Sequence, residues 1–290
     1  MEFKADLHTH TSCSDGTMTP LELLKLAREI GLSGLSITDH DTVQAYTKEF
    51  FDAASLLNIA IICGVEFSCM EKSDSVHILG YGMDVHHPKL LEFCKKHVER
   101  REKRNVEMIE KLKKKGFKIS YEELLSNKTS PDQILGRPHV AALLREKGHI
   151  KTIQEAFERY LGEGKSCYVE TNCFNVNETI ALIHEVGGVA VLAHPHLIKK
   201  KRLLKELLKK PFDGIECYYA RMYRHEVEVY LKIANEKNWI VTGGSDFHGS
   251  IKPYLHFGAS FVTEQDFQKL LSCIEEKRYS ISRVDGNSNR

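Results

Sequence analysis

Apolar and polar positions change period twice along this chain and divide it into three stretches. In the first, short apolar runs alternate with amphipathic ones. Residues 3–7 read as a strand. Thr19 then stands as a helix N-cap, with Pro20 at the first helical position and Glu22 three residues after the cap. Leu21, Leu24, Ala27 and Ile30 give that helix an apolar face, and Gly31 ends it. Residues 35–38, 59–63 and 76–81 read as further strands and 43–57 as a helix. From Pro88 to about Gly164 the period is helical throughout. A long, heavily charged helix is predicted over 90–115, with Val98, Val106, Ile109 and Leu112 as its apolar stripe, followed by shorter helices at 121–125, 137–147 and 153–161. Alternation then resumes. Helices are predicted at 176–186, 199–210, 223–238 and 264–278, and strands at 189–193, 214–218, 239–242 and 257–262. The polar tail from Ser280 is expected to fray.

Strands alternating with helices predict a parallel sheet with crossovers, whose functional groups collect at the C-terminal strand ends. The middle stretch predicts an insertion. Residues 1–87 and 165–290 are expected to form one α/β unit, and residues 88–164 a helical cap over its mouth.

Composition narrows the function classes. At 290 residues the chain is one large domain, or one domain with an insertion, and can bury about three quarters of its unfolded surface. Lys plus Arg at 41 against Asp plus Glu at 40 excludes nucleic-acid binding by bulk charge, so the basic runs 95–118 and 199–210 read as solvated helix faces. Eight cysteines contain no C-x-x-C pair, which excludes a thiolate zinc knot and suits the reduced thiols of a cytoplasmic protein; Cys13 is the one nearest the candidate site. No basic start precedes an apolar run and no 18-residue apolar segment exists, so neither a signal peptide nor a membrane span is expected.

Histidine, at 15, is the unusual count. Asp6-Leu7-His8-Thr9-His10 places two imidazoles on one side of a strand end. An H-x-H pair alone is commonplace, but similar clusters recur near predicted strand ends. They are Asp15, Thr38-Asp39-His40-Asp41, Gly64-Val65-Glu66, His77, Ala193-His194-Pro195-His196 and Gly244-Ser245-Asp246-Phe247-His248-Gly249. His77 lies near the start of its strand and must reach in from the inner face. Imidazole and carboxylate without thiolate suit zinc, manganese or iron in a reactive site. The groups are too many for one ion. Two or three ions sharing a carboxylate would hold both the attacking and the leaving oxygen of a phosphoryl displacement.

The order D-x-H-x-H, T-D-H-D, G-V-E, H, A-H-P and G-S-D-x-H-G, over positions 6–249, resembles the PHP (polymerase and histidinol phosphatase) metallo-phosphoesterases. The resemblance implies an α/β fold, a distorted seven-stranded β/α barrel of TIM-like type, with divalent metal ions, manganese favoured, at the strand ends. It implies that His8, His10, Glu66 and Asp246 hold one ion, Glu66, His77 and His194 a second, and Asp15, His40 and His248 a third. Asp15 stands where some members have histidine. Asp6 is expected to orient a ligand histidine through its other nitrogen.

Arg104-Asn105, Gly136-Arg137-Pro138-His139, Ala156-Phe157 and Tyr160-Leu161 are similar to the branch of the family that acts on AMP, nucleoside 3′,5′-bisphosphates or short RNA in the 5′→3′ direction. Arg137 is the expected phosphate grip, with His139 in support and Arg221 a further candidate. His196 is expected to bind phosphate or protonate the leaving oxygen, and Tyr218 and Tyr219 to include a base-stacking ring. His86, His87, His97, His149, His184, His225 and His256 have no motif around them and read as surface or satisfied core. The expected reaction is in-line attack by a hydroxide bridging two ions on a 5′-phosphorylated nucleotide substrate, with no obligate protein partner. The alternatives are a histidinol-phosphate-type phosphatase and a non-catalytic PHP interaction module.

Overall fold

The computed structural model describes residues 2–131, 133–170 and 174–287, with side chains as far as Ser280. A first sheet is parallel throughout. It pairs β1 (Ala5–Asp6), β2 (Gly34–Leu35) and β3 (Ala60–Ile61), joined by α1 (Pro20–Glu29) and α2 (Lys48–Leu56). The predicted capping box is present: the Glu22 N–H donates to the Thr19 hydroxyl and the Thr19 N–H to the Glu22 carboxylate. α2 begins later than the 43–57 pattern suggests. Thr47 caps it, and Tyr46, just before it, is buried, its hydroxyl accepting from the Gly64 N–H at 2.7 Å and donating to the Ile37 carbonyl.

The second sheet departs from the expected parallel pattern. β4 (Gly64–Glu71) and β5 (Asp74–Tyr81) form an antiparallel hairpin that turns at Lys72 and Ser73, both at positive φ. β5 is also antiparallel to β6 (Val189–Leu192), and only β6, β7 (Gly214–Tyr219) and β8 (Ile240–Gly244) are parallel. The predicted strand at 257–262 is turns, with one bridge from Val262 to Ala5.

Both faces of this sheet are buried. Val65, Phe67, Val76, Ile78, Ala190, Leu192, Ile215 and Cys217 pack outward against α7 (Val176–Glu185), α8 (Lys201–Leu207), α9 (Arg224–Lys237) and the start of α3 (Pro88–Lys114). The alternate positions Leu79, Tyr81, Val189 and Val191 pack with Leu7 and with Phe267, Leu270 and Ile274 of α10 (Glu264–Asn287). Period-two alternation therefore sends Glu66, His77 and Glu216 to the same side as the end of β1. α10 runs past Ser280, where fraying was expected.

Residues 88–170 are helical and carry a core of their own, centred on Met108, Leu112, Val140, Leu144 and Leu161. α3 is followed by α4 (Tyr121–Ser126), α5 (Arg137–Glu146) and α6 (Ile153–Ala156), which runs on as a π-turn through Leu161. The inward face of α3 differs from the predicted stripe. Val106 is exposed, and Leu90, Phe93, His97, Arg101, Arg104, Met108 and Leu112 face inward at three- and four-residue spacing. Arg101 and Arg104, expected on a solvated face, are buried.

Candidate metal centre

Asp39 shapes the loop after β1. It accepts from the Thr11 N–H at 2.7 Å and from the Thr11 and Ser14 hydroxyls, each at 2.5 Å. That loop delivers His8, His10 and Asp15 to one point, where β2, β4, β5, β6 and β8 contribute His40, Glu66, His77, His194, Asp246 and His248. Among the described residues, ligand atoms within 4.8 Å of one another fall into three overlapping groups. They are His8, His10, Glu66 and Asp246; His10, Asp15, His40 and His248; and His40, Glu66 and His77. His194 joins the third by contact, since its Nε2 lies 2.8 Å from the Glu66 oxygen that His77 Nδ1 approaches at 2.7 Å. All nine residues expected as ligands meet at one centre. His10 and His40 each serve two groups, which the expected three-ion partition did not include.

The neighbours fix which atom each ring presents. His8 Nδ1–H donates to Glu216 at 2.9 Å, leaving Nε2 toward Glu66 and Asp246. His248 Nδ1–H donates to the Asp246 carbonyl at 2.8 Å, leaving Nε2 toward Asp15. One oxygen of Asp246 is gripped by the Tyr219 hydroxyl at 2.8 Å and the Lys252 ammonium at 2.9 Å. The other stands 3.3 Å from His10 Nε2. Three non-glycine residues here hold positive φ: Asp41 at 59°, His194 at 27° and Asp246 at 52°. Such strain collects where a surrounding structure must aim particular side chains.

What remains free is the informative part. His8 Nε2, both nitrogens of His10, His40 Nδ1, His248 Nε2 and Asp246 Oδ1 are buried without a well-directed hydrogen bond. Buried polar atoms are normally satisfied, and these six, spread over the overlapping groups, fit more than one cation, with the two His10 nitrogens facing different groups. The charges agree. Burial opposes ionisation of Asp15, Glu66 and Asp246, yet the surrounding imidazoles, and Lys252 at Asp246, hold all three well below the carboxylate range. Burial also works against a charged His10, but Asp246 and Glu66 raise it to about 9. His8 is raised well above its usual value by Glu216 and Glu66 against the same burial. Burial keeps His40 and His248 below theirs. The carboxylates thus draw protons onto His8 and His10, as they would draw a cation.

Two cavities, of about 190 and 400 Å³, open from the centre and share His40, His77 and Lys252, so they form one two-lobed cleft. Their scale is that of small-molecule sites. Arg101, Arg104, Arg137, Phe157 and Tyr168 line the first lobe; His196, Tyr219, Arg221 and Tyr254 line the second. Arg137 lies over the Tyr168 ring at 5.6 Å, and Arg221 over Tyr254 at 5.1 Å. His196 packs on Tyr219 with its Nδ1 unpartnered.

A PHP domain model matches residues 6–238. The chain belongs to the PHP domain family. A 5′-3′ exoribonuclease of Haemophilus influenzae is 34% identical over 253 residues, covering 86% of this chain and 91% of that protein. A 3′,5′-nucleoside bisphosphate phosphatase of Chromobacterium violaceum is 31% identical over 248 residues, covering 84% of this chain and 86% of that one. A solved structure from Bifidobacterium adolescentis, described as a metal-dependent phosphoesterase, is 29% identical and superposes with a TM-score of 0.85 over 94% of this chain and 96% of its own.

Two expected roles in this PHP centre need correction. Asp6 does not orient a ligand ring. Its carboxylate accepts from the backbone N–H groups of His8, Ser245 and Gly258, which clamps β1 to the loop after β8. The side chain that bonds His8 through its other nitrogen is Glu216, fully buried, which also accepts from the His194 N–H at 2.7 Å. A lone carboxylate inside the apolar strand Gly214–Tyr219 was its only sequence signal. His139 is turned away from substrate duty. Its Nδ1 accepts from the Gly136 N–H at 2.9 Å, closing the start of α5, and it lines neither lobe. Tyr218 packs against the inner core, so only Tyr219 faces the cleft. Lys252, at the junction of the lobes, carried no motif.

Of the histidines outside the motifs, His97 is a core residue whose Nδ1 lies 3.4 Å from Asp41 and whose buried Nε2 has no hydrogen-bond partner, His184 pairs with Asp213 at 2.7 Å, and His87 caps α3. None of the seven described cysteines is in a disulfide; Cys173 lies outside the described residues. No helix among the described residues is long and apolar enough to cross a membrane.

Proposed function

We propose that this PHP protein is a metal-dependent phosphoesterase that hydrolyses 5′-phosphorylated nucleotide substrates, among them nucleoside 3′,5′-bisphosphates and short RNA. Six unsatisfied, buried ligand atoms gathered within the overlapping ligand groups carry the reading. The names of the exoribonuclease and bisphosphate phosphatase relatives support the substrate class.

His8, His10, Glu66 and Asp246 would hold one ion, and Glu66, His77 and His194, with His40, a second. Asp15, His40 and His248, with His10, would hold a third. Manganese is the favoured metal, and zinc and iron suit the same donors. When bound, such ions activate water and neutralise charge at phosphorus. The chain supplies the rest. Glu216 locks His8 in the tautomer that offers Nε2. Tyr219 and Lys252 aim Asp246. Arg137, Arg101 and Arg104 face the cleft as guanidinium partners for non-bridging oxygens, and Arg221 serves the second lobe. His196 stands beside Tyr219 to donate to the leaving oxygen.

Two wider readings belong with this one. The sheets form a single distorted barrel of PHP type, supported by the bonds from the Leu7 N–H to the Gly243 carbonyl and from the Asp246 N–H to the His8 carbonyl. Residues 88–164 act as a cap, supported by their separate core and by the arginines they turn toward His40 and Asp15. The seven described cysteines, none of them in a disulfide, support a cytoplasmic setting.

The test is product release from AMP, adenosine 3′,5′-bisphosphate, a 5′-phosphorylated RNA tetramer and histidinol phosphate, with Mn²⁺ and then with chelator, beside an Asp246→Ala protein. Chelator-sensitive release from the nucleotides, lost in the variant, is expected. Preference for histidinol phosphate would move the substrate class. Stoichiometric metal with no turnover would point to a binding module.

A further inference from the structure

The cleft is double, and its two lobes, which meet at the metal centre, repeat one device. In the lobe under the helical block, the Arg137 guanidinium lies over the Tyr168 ring. In the other, Arg221 lies over Tyr254. A guanidinium held on an aromatic face offers a cation to a phosphate and leaves a flat surface for a base. The lobes meet at His40, His77 and Lys252, so a phosphate at the centre borders both lobes, each with one such pair. They differ in enclosure. The first is walled by Arg101, Arg104 and Phe157, whereas the second is rimmed by Tyr254 and Leu197, each 51% exposed, and leads to solvent.

We propose that the second lobe is a subsite for the nucleotide on the far side of the scissile phosphate, with Tyr254 as its stacking surface and Arg221 as its phosphate contact. The proposal rests on the phosphoesterase reading above and adds polymer recognition to it. The first lobe takes the terminal phosphorylated nucleotide, and the chain of a longer substrate leaves across Tyr254. A mononucleotide bisphosphate occupies only the first lobe and the centre. Stacking on one aromatic ring changes affinity by on the order of 10- to 100-fold. Tyr254 therefore sets preference for RNA length and leaves the ligand set unaltered.

The experiment compares wild type, Tyr254→Ala and Tyr254→Phe on adenosine 3′,5′-bisphosphate and on a 5′-phosphorylated RNA tetramer with Mn²⁺. Binding of a fluorescent tetramer is measured alongside in chelator, where nothing turns over. For Tyr254→Ala, the ratio of tetramer to bisphosphate kcat/KM should fall about 10-fold or more, through KM, with tetramer binding weakened in step. Tyr254→Phe, which keeps the ring, should restore both. Equal losses on the two substrates would mean that Tyr254 acts through the metal centre, and an unchanged ratio would mean that no second nucleotide sits there; either overturns the subsite. If wild type turns over neither substrate, the phosphoesterase reading fails, and the subsite then stands or falls on whether tetramer binding depends on the Tyr254 ring.

Discussion

Replacing Glu216 by glutamine separates the metal centre from the fold that carries it. The carboxylate is fully buried, one oxygen accepting from His8 Nδ1–H at 2.9 Å and the other from the His194 N–H at 2.7 Å. Glutamine has the same shape but only one acceptor, and its NH₂ must face one of these two donors. If the amide oxygen stays with His194, His8 has to move its proton to Nε2, the atom that faces Glu66 and Asp246, and a ligand position is blocked. If it stays with His8, the His194 N–H meets another donor, at a residue already held at positive φ. Either way the loss falls on the ligands. Removing the partner of a metal-binding histidine costs about 10- to 100-fold in metal affinity, or roughly 1.4–2.7 kcal/mol. The assay is competition for Mn²⁺ and Zn²⁺ against a chromophoric chelator, with metal content by mass spectrometry after dialysis and circular dichroism to confirm the fold. An E216Q protein that holds metal within twofold of wild type would refute the argument that Glu216 fixes the ligand tautomer.

The other predictions probe the frame around the centre. Arg101→Ala should destabilise the protein by about 3–5 kcal/mol in denaturant titration, because Arg101 Nε and Nη2 approach the buried Asp41 carboxylate at 2.7 and 2.6 Å; a loss below 1 kcal/mol would mean that His97 and the Ser68 N–H suffice. Gly244→Ala should strain the centre, because a Cβ there would meet the His8 backbone nitrogen at 2.3 Å, so melting temperature and metal content should fall together. Mn²⁺ at about 100 times its Kd should stabilise wild type by about 2.7 kcal/mol, read as a raised melting temperature that chelator reverses and Asp246→Ala lacks. Asp213 is pulled two ways: partial burial raises its pKa, but bonds from His184, Lys277 and the Ala190 N–H win and lower it. Its stabilisation is full above the unfolded pKa of about 3.9 and is lost as pH falls through the lower folded value. The stability gap between wild type and Asp213→Asn should therefore close in acid, and a gap independent of pH would rule out the charge as its cause.

The ligand set was legible in the sequence because its chemistry is local. A strand end that must present nitrogen and oxygen donors does so within two or three residues, as His8-Thr9-His10 and Asp246-Phe247-His248 do. The fold around it was less legible where two patterns share one spelling. The alternation Val65, Phe67, Cys69 continues past Glu66, but Gly64-Val65-Glu66 has the same spelling as a strand end, which hides the antiparallel hairpin β4–β5. Its turn, Lys72-Ser73, lacks the glycine or asparagine that usually announces one.

Arg101 and Arg104 show a deeper limit. Charge density marked their stretch of α3 as solvated, and for Lys95, Lys96, Glu99 and Lys103 it is. The two arginines sit three apart on the face that carries His97 and Met108, where Asp41 offsets the cost of burying the Arg101 guanidinium. That partner lies 60 residues away in sequence, so no window along α3 contains the reason. The same holds for Glu216, which answers to His8 from 208 residues away, and for Lys252, whose counter-ion Asp246 is near but whose place between two lobes exists only after folding. A ligand motif tells which atoms meet an ion. The residues that choose the tautomer, hold the carboxylate and shape the cleft are set by contacts across strands, and in this PHP protein they are the ones whose substitution should change function while leaving every motif intact.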